Sequence, residues 1–433
     1  MNRILRQTMS GGEKIFFFFF AIFLTIYFTP FFGSHTDPIT QGIILVLTFL
    51  ASIRAFGLSS YNKFPRLFIA VVLWFSLALA YRAFGISDCS WNKILWKFFH
   101  LIVLLIGGQL VTHGSKPLMK YIILYVCAIF VLNTLDNIRL LMIYPEASEE
   151  LNFDQTGFYQ SLNVGGSTYA NLDALMGLFF WVKSFNRYKF RAVFLSLFLL
   201  CWIYQFFALR AICVISFALG TLLIWVINYA EKKGIGARRR RYFFIFTLFA
   251  VLLPLLPWAL MELSSLIGLE RLALRLRALA SILGYSDTSI DASSGTGRIE
   301  LYLLSLSTFF NNFLFGIGEH PSELDKLISM GIGGHSTIFD SLAEYGLIGA
   351  LFLIFLFVQC YQLFYKGIRS SRFMNGASSI IFCIYMFSSF LNNTFLPDAF
   401  TAVFILVPCT KLLFTQETQG RRVQLKRKEI CKS

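Results

Sequence analysis

Apolar residues run through this chain in blocks of about 20, separated by short polar stretches. Twelve such blocks predict helices at residues 15–32, 39–57, 66–84, 94–112, 118–143, 166–183, 192–209, 211–230, 242–261, 342–364, 377–394 and 397–414. About 20 residues of helix cross the ~30 Å of hydrocarbon in a bilayer, and none of the blocks alternates in the manner of an outer-membrane barrel. The expected fold is an all-α integral membrane protein of about twelve transmembrane helices, one polytopic domain over residues 1–433. The first block contains five consecutive phenylalanines, Phe16 to Phe20, behind Arg3, Arg6 and Lys14. It is too long for a signal-peptide core and ends without a small-residue cleavage pattern, so it reads as an uncleaved span. Residues 191–230 as one helix would extend ~60 Å at ~1.5 Å per residue, twice the bilayer. The chain must therefore turn near Phe206 to Ala211, which puts Arg210 at a membrane face.

The polar punctuation carries a topology. The N-terminus, the loops at 54–66, 116–120, 183–191, 232–241 and 366–372, and the tail from Lys411 hold 28 of the 38 lysines and arginines. These are alternate loops, so the positive-inside rule makes them cytoplasmic, with both termini inside. The complementary loops are acidic. The largest spans residues 262–341, before the tenth span; it is too long for a plain connection, and Arg298 to Phe315 within it reads as an amphipathic helix able to lie at the membrane surface. Residues 415–433 form a basic cytoplasmic tail.

Composition then removes several classes. A chain with 57% hydrophobic and 14% charged residues has no polar skin for a soluble life, and its net charge of +15 follows from the topology, not from nucleic-acid binding. Of eight cysteines only Cys89 falls in an outer loop, so no disulfide framework is expected. The five histidines and the cysteines show no paired ligand spacing, and no metal is expected.

The candidate chemistry lies among basic residues that the topology leaves outside, Arg82, Lys93, Lys97, Arg139, Arg210, Arg271, Arg275, Arg277, Arg298 and Lys326. Arginine suits bidentate phosphate recognition, and an ionisable group at membrane depth is a candidate functional group. The blander readings are a snorkelling anchor for Arg210, a solvated residue for Arg298, a lipid-facing stripe for Arg271, Arg275 and Arg277, and an ion pair with Asp136 for Arg139. The richest polar stretch is Gly333-Gly334-His335-Ser336, followed by Asp340 and Glu344. An imidazole titrates near ~6.5 and can act as base, acid or hydrogen-bond donor. On an unbroken helix starting there, His335, Phe339, Leu342, Gly346 and Gly349 share a face, and the glycines would admit a neighbouring helix. Asp340 and Glu344, at i and i+4, are expected to orient loop arginines.

The pattern His335-Ser336-x-x-x-Asp340, with Leu342, Glu344, Gly346 and Gly349, is preceded by Gly295-x-Gly297-Arg298 and Phe315-Gly316-Ile317-Gly318. It resembles the signature region of the bacterial O-antigen polymerase and O-antigen ligase superfamily (Wzy and WaaL types). Leu209-Arg210-Ala211 resembles that family's turn motif, and Gly165-Gly166-Ser-Thr-Tyr-Ala170 its segment opening the sixth span. The resemblance implies a metal-independent glycosyltransferase, without cofactor, in the bacterial inner (plasma) membrane, with its site on the extracytoplasmic side. Its donor would be a glycan on undecaprenyl pyrophosphate and its acceptor a second glycan, with membrane lipids and a chain-length regulator as partners. Carried over by position, Arg210 and Arg298 would neutralise the pyrophosphate and His335 would act on the acceptor hydroxyl or hold the phosphates; Arg139, Arg275, Ser336, Asp340 and Glu344 are candidate substrate-binding residues. Ala211 departs from the Gly of the turn motif; Ser336 where the ligase type commonly has Asn, in Gly-His-Ser followed by Asp340, resembles more the polymerase of O-antigen or capsule repeats than a ligase acting on lipopolysaccharide core. A lipid-linked sugar transporter is a further alternative, against which stands the gathering of polar groups at the outer ends of the spans.

Overall fold

The computed structural model describes residues 8–29, 38–85, 91–144, 167–185, 190–208, 210–232, 296–318, 328–368 and 370–415, with isolated positions between 258 and 277. Among these residues the regular structure is helical, with no strand. In chain order the helices are α1 (Gly11–Phe28), α2 (Pro38–Phe56), α3 (Pro65–Ala83), α4 (Trp91–His113), α5 (Lys116–Ile143), α6 (Ser167–Ser184), α7 (Arg191–Ala208) and α8 (Ala211–Lys232). They continue with α9 (Thr296–Asn311), α10 (Thr337–Cys360), α11 (Arg372–Leu391) and α12 (Pro397–Thr415). Nine helices among the described residues are long and apolar enough to cross a membrane. Eleven of the twelve sequence-predicted spans coincide with α1–α8 and α10–α12 within a few residues; the block at 242–261 lies largely outside the described residues. The protein is an all-α, multi-pass membrane protein.

Helix spacing decides which members of the phenylalanine run face inward. Phe16, Phe20 and Phe23, at i, i+4 and i+7, are fully buried, while Phe18 points outward. The ring pairs Phe16–Phe20 and Phe20–Phe23 stack at 5.3 and 5.8 Å. Where helices cross most closely the sequence supplies glycine, because lipid-embedded helices gain from backbone proximity. A Cβ on Gly177 of α6 would stand 2.5 Å from the Phe217 ring of α8, and one on Gly220 of α8 would stand 2.6 Å from Leu178 of α6.

Contacts between helix ends sort the bundle into two poles. At one pole Glu13, in the first turn of α1, accepts from the backbone N–H of Ser10 (2.8 Å) and of Ser115 (2.9 Å), which caps α5. There too the end of α2 lies against Gly12, Gln109 near the end of α4 donates to Ser60 at 3.0 Å, and Lys411 donates to the Tyr365 carbonyl. The loops 54–66 and 116–120, both basic, belong to this pole. At the opposite pole Asn133 of α5 donates to the Phe28 carbonyl at 2.7 Å, and the end of α3, the starts of α8, α10 and α12 and the end of α11 meet.

Two expectations change. The tenth span was expected at 342–364; the helix begins five residues earlier, and with the π-helical turn Tyr361–Lys366 it runs 30 residues. At ~1.5 Å per residue that is ~45 Å, longer than the hydrocarbon, and the excess at its start is covered by α9. The predicted amphipathic helix 298–315 coincides with α9, which ends four residues earlier at Asn311 and packs along the first turns of α10.

Candidate functional site

The Gly-Gly-His-Ser stretch is a tight loop fastened to both helices it joins. Gly331 and Gly334 have φ of 90° and 71°, the left-handed region that glycine enters without strain. Ser336 is the N-cap of α10: its hydroxyl accepts from the Phe339 N–H at 3.0 Å and donates to the Ser389 carbonyl of α11 at 3.4 Å. Asp340 closes the cap from the other side. Its Oδ2 accepts from the Ser336 N–H at 2.9 Å and its Oδ1 from the Ser305 hydroxyl of α9 at 2.7 Å, while Ser305 in turn accepts from the Gly333 N–H at 2.8 Å. One carboxylate thus holds the loop on α9 and on the start of α10. His335, half-buried, sits within this frame, near enough to Asp340 for imidazole and carboxylate to interact electrostatically.

The sequence reading gave Asp340 the orientation of arginines. Among the described residues its oxygens accept from the Ser336 N–H and the Ser305 hydroxyl, and so hold the histidine loop; the side chains of Arg271, Arg275 and Arg298 lie outside the described residues. Ser336, a substrate-binding candidate by resemblance, is fully buried with its hydroxyl occupied as a cap.

The later turns of α9, the helix that carries Arg298 in its first turn, fasten to this loop. Leu301, Tyr302, Ser305 and Thr308 fall on one face of α9 at helical spacing. The Leu301 carbonyl abuts Gly333, Tyr302 donates to the Leu391 carbonyl at 2.7 Å, and Thr308 donates to the Gly331 carbonyl at 2.6 Å. Arg298 stands one turn before Leu301 and Tyr302, in the first turn of α9.

Arg210 lies where the chain turns between α7 and α8, as the length of the 191–230 block requires. Its level follows from α8 and α11, which pack together with Ser388 donating to Ser216 at 3.5 Å. Arg210 is six residues before Ser216, ~9 Å along the axis at ~1.5 Å per residue, level with the turn after α11. That same turn reaches the histidine loop: the Thr337 N–H donates to the Asn392 carbonyl at 3.2 Å, and the Thr394 N–H to the Thr337 hydroxyl at 2.8 Å. Arg210, the His335 loop and the first turn of α9 therefore gather at one pole around the end of α11.

Arg139 is exposed on α5 and forms an ion pair with Asp136 at 2.8 Å, as its i, i+3 spacing suggests. Arg275 lies outside the described residues, as does Arg271; Arg277 donates to Ser264 at 3.3 Å. Glu344 is buried. The expected face His335, Phe339, Leu342, Gly346, Gly349 does not exist as such, because α10 is broken at Gly346 (φ 61°, ψ −156°), which resets the register.

Two groups near this pole escaped the sequence reading. Asp173 of α6 is fully buried and accepts from Gln205 of α7 at 2.9 Å, while Gln205 also donates to the Ala170 carbonyl at 2.7 Å. Tyr204, next to Gln205, lies near both Asp173 and Arg210. A lone Asp within an apolar block was the available signal. The second group is the Asn392-Asn393-Thr394 turn, visible as a polar triplet between two apolar blocks. Compared with known proteins, the chain matches no protein-family model and none of the curated proteins.

Proposed function

We propose that this protein is a glycosyltransferase that polymerises undecaprenyl-pyrophosphate-linked oligosaccharide repeats on the outer face of the plasma membrane. The observation that carries the reading is the gathering of Arg210, the His335 loop and the Arg298 turn at one pole of the bundle, opposite the pole with the basic 54–66 and 116–120 loops. With those basic loops cytoplasmic, the pole that carries the three residues is the outer end of the bundle, the level at which a lipid headgroup sits. The motif resemblance supplies the reaction class.

In this reading the acceptor sugar's hydroxyl oxygen attacks the anomeric carbon of the donor. The bond from that carbon to the pyrophosphate oxygen breaks, and its electron pair leaves with the lipid pyrophosphate. Arg210 and Arg298 neutralise the charge that grows on the leaving group, the task for which preorganised cations in a partly dehydrated site are effective. His335 takes the hydroxyl proton, and Asp340 beside it favours the resulting imidazolium. Ser336 and Asp340 act by holding the histidine loop. Arg139, paired with Asp136 on an exposed face, is peripheral to this chemistry.

Surface glycan from cells lacking the protein tests the proposal against its relatives in mechanism. Polymerase action predicts a surface glycan of one repeat. Long chains stranded on the lipid carrier would make the protein a ligase, and polymer of normal length and amount would exclude both.

A further inference from the structure

We propose that the break in α10 is a clasp that sets the position of α9 against α10, and that Tyr81 is a positioning residue for the site through that clasp; the inference rests on the function proposed above. A helix interrupted in mid-course strands backbone N–H and C=O groups, which are costly to bury unpaired. Here residues 313–318, just beyond α9, enter the break and pair with it. The N–H groups of Ile317 and Gly318 donate to the carbonyls of Ala343 (3.0 Å) and Glu344 (2.8 Å), and those of Leu347 and Ile348 donate to the carbonyls of Phe313 (2.8 Å) and Leu314 (3.3 Å).

The sequence is suited to this insertion at two positions. Gly346 holds φ 61° and ψ −156°, a region open to glycine almost alone, and a Cβ there would stand 2.6 Å from the Leu314 backbone. Gly316 has φ 67°, and a Cβ on it would stand 2.5 Å from the Ala343 carbonyl oxygen. The Phe315-Gly316-Ile317-Gly318 motif is thus accounted for by backbone pairing.

Tyr81, near the end of α3, locks the clasp from the side. Its hydroxyl donates to the Phe315 carbonyl and lies 3.3 Å from the Tyr345 carbonyl oxygen, and its ring packs 5.3 Å from that of Tyr345, which also meets Trp74 at 5.2 Å. One hydroxyl thereby touches both strands of the clasp.

The clasp grips the end of α9 remote from Arg298. The 16 residues of α9 extend ~24 Å, so a tilt of ~5° at the clasp moves the Arg298 turn by ~2 Å. Misplacement by ~1 Å can lower a rate ~100-fold. A residue that touches neither phosphate nor sugar can therefore govern turnover.

The test is Tyr81→Phe, which removes one oxygen and leaves the ring packing, with Gly346→Ala as a second variant. Amide hydrogen exchange in detergent reads the clasp without substrate, and joining of prenyl-pyrophosphate-linked repeats reads the site. The expected result is protection of the Ile317, Gly318 and Leu347 amides in the unaltered protein and at least ~10-fold faster exchange in Tyr81→Phe. Turnover should fall about 10-fold or more with donor half-saturation changed less than about 3-fold, since positioning acts on the reacting geometry more than on binding. Unprotected amides in an active unaltered protein would overturn the clasp. Faster exchange with full turnover in Tyr81→Phe would overturn the positioning role. An inert unaltered protein with protected amides would overturn the glycosyl-transfer reading, and the positioning role with it.

Discussion

Replacing Asp340 by alanine should loosen the histidine loop far more than the loss of one exposed acid would suggest. Two donors lose their acceptor at once: the Ser305 hydroxyl at 2.7 Å and the Ser336 N–H at 2.9 Å. Both residues are fully buried, so water does not readily replace the carboxylate. Each buried donor left unsatisfied costs about 1–3 kcal/mol, so the two together cost about 2–6 kcal/mol of local stability. At a factor of ten for every ~1.4 kcal/mol, the Ser336 amide should exchange at least ~30-fold faster than in the unaltered protein. Gly333 should follow it, because its N–H donates to the Ser305 hydroxyl that Asp340 orients. Asp340→Asn keeps one acceptor and should cost less than half as much. Exchange measured residue by residue in detergent micelles makes the comparison. Unchanged protection of Ser336 and Gly333 in Asp340→Ala would refute the view that this carboxylate holds the loop.

Further outcomes follow from the packing of the bundle. Gly177→Ala puts a Cβ 2.5 Å from the Phe217 ring and should lower stability by about 1–3 kcal/mol, whereas Gly11→Ala meets nothing within 4 Å and should change it by less than about 0.5 kcal/mol; thermal unfolding of the two purified variants decides. Glu13→Ala strands the buried Ser115 N–H and should cost about 1–3 kcal/mol, with Glu13→Gln restoring part of it in the same assay. Arg139→Ala removes an exposed ion pair and should shift stability by no more than about 1 kcal/mol.

The spans were legible because a bilayer imposes a length on apolar runs, and the turn at Arg210 because 40 residues of helix overshoot it. The loop glycines and Ser336 were visible as residue types, but Ser336 was expected to bind substrate, and its part as the cap of α10 came from the structure. What a linear reading could not supply was pairing across distance. Gly346 looked like a small residue on a smooth helical face, since a helical wheel assumes an unbroken helix; its break is stabilised by residues about 30 positions earlier in the chain. The Asp173–Gln205 pair was hidden for the same reason, each member lying alone within an apolar block. For Asp340 charge suggested an ionic partner, and nothing in a linear reading pointed to the neutral donors Ser305 and Ser336 that the carboxylate holds.

The central claim is that Arg210, Arg298 and His335 form one outward-facing site that joins lipid-pyrophosphate-linked repeats. Its most direct test is purified protein in detergent or nanodiscs, given a prenyl-pyrophosphate-linked oligosaccharide repeat with a chelator present, and the products sized. The account predicts products of two and more repeats with release of the prenyl pyrophosphate, and a loss of at least ~100-fold in each of Arg210→Ala, Arg298→Ala and His335→Ala in protein that remains folded. Wild-type protein that leaves the repeat unjoined, or three variants that join it at the unaltered rate, would contradict it.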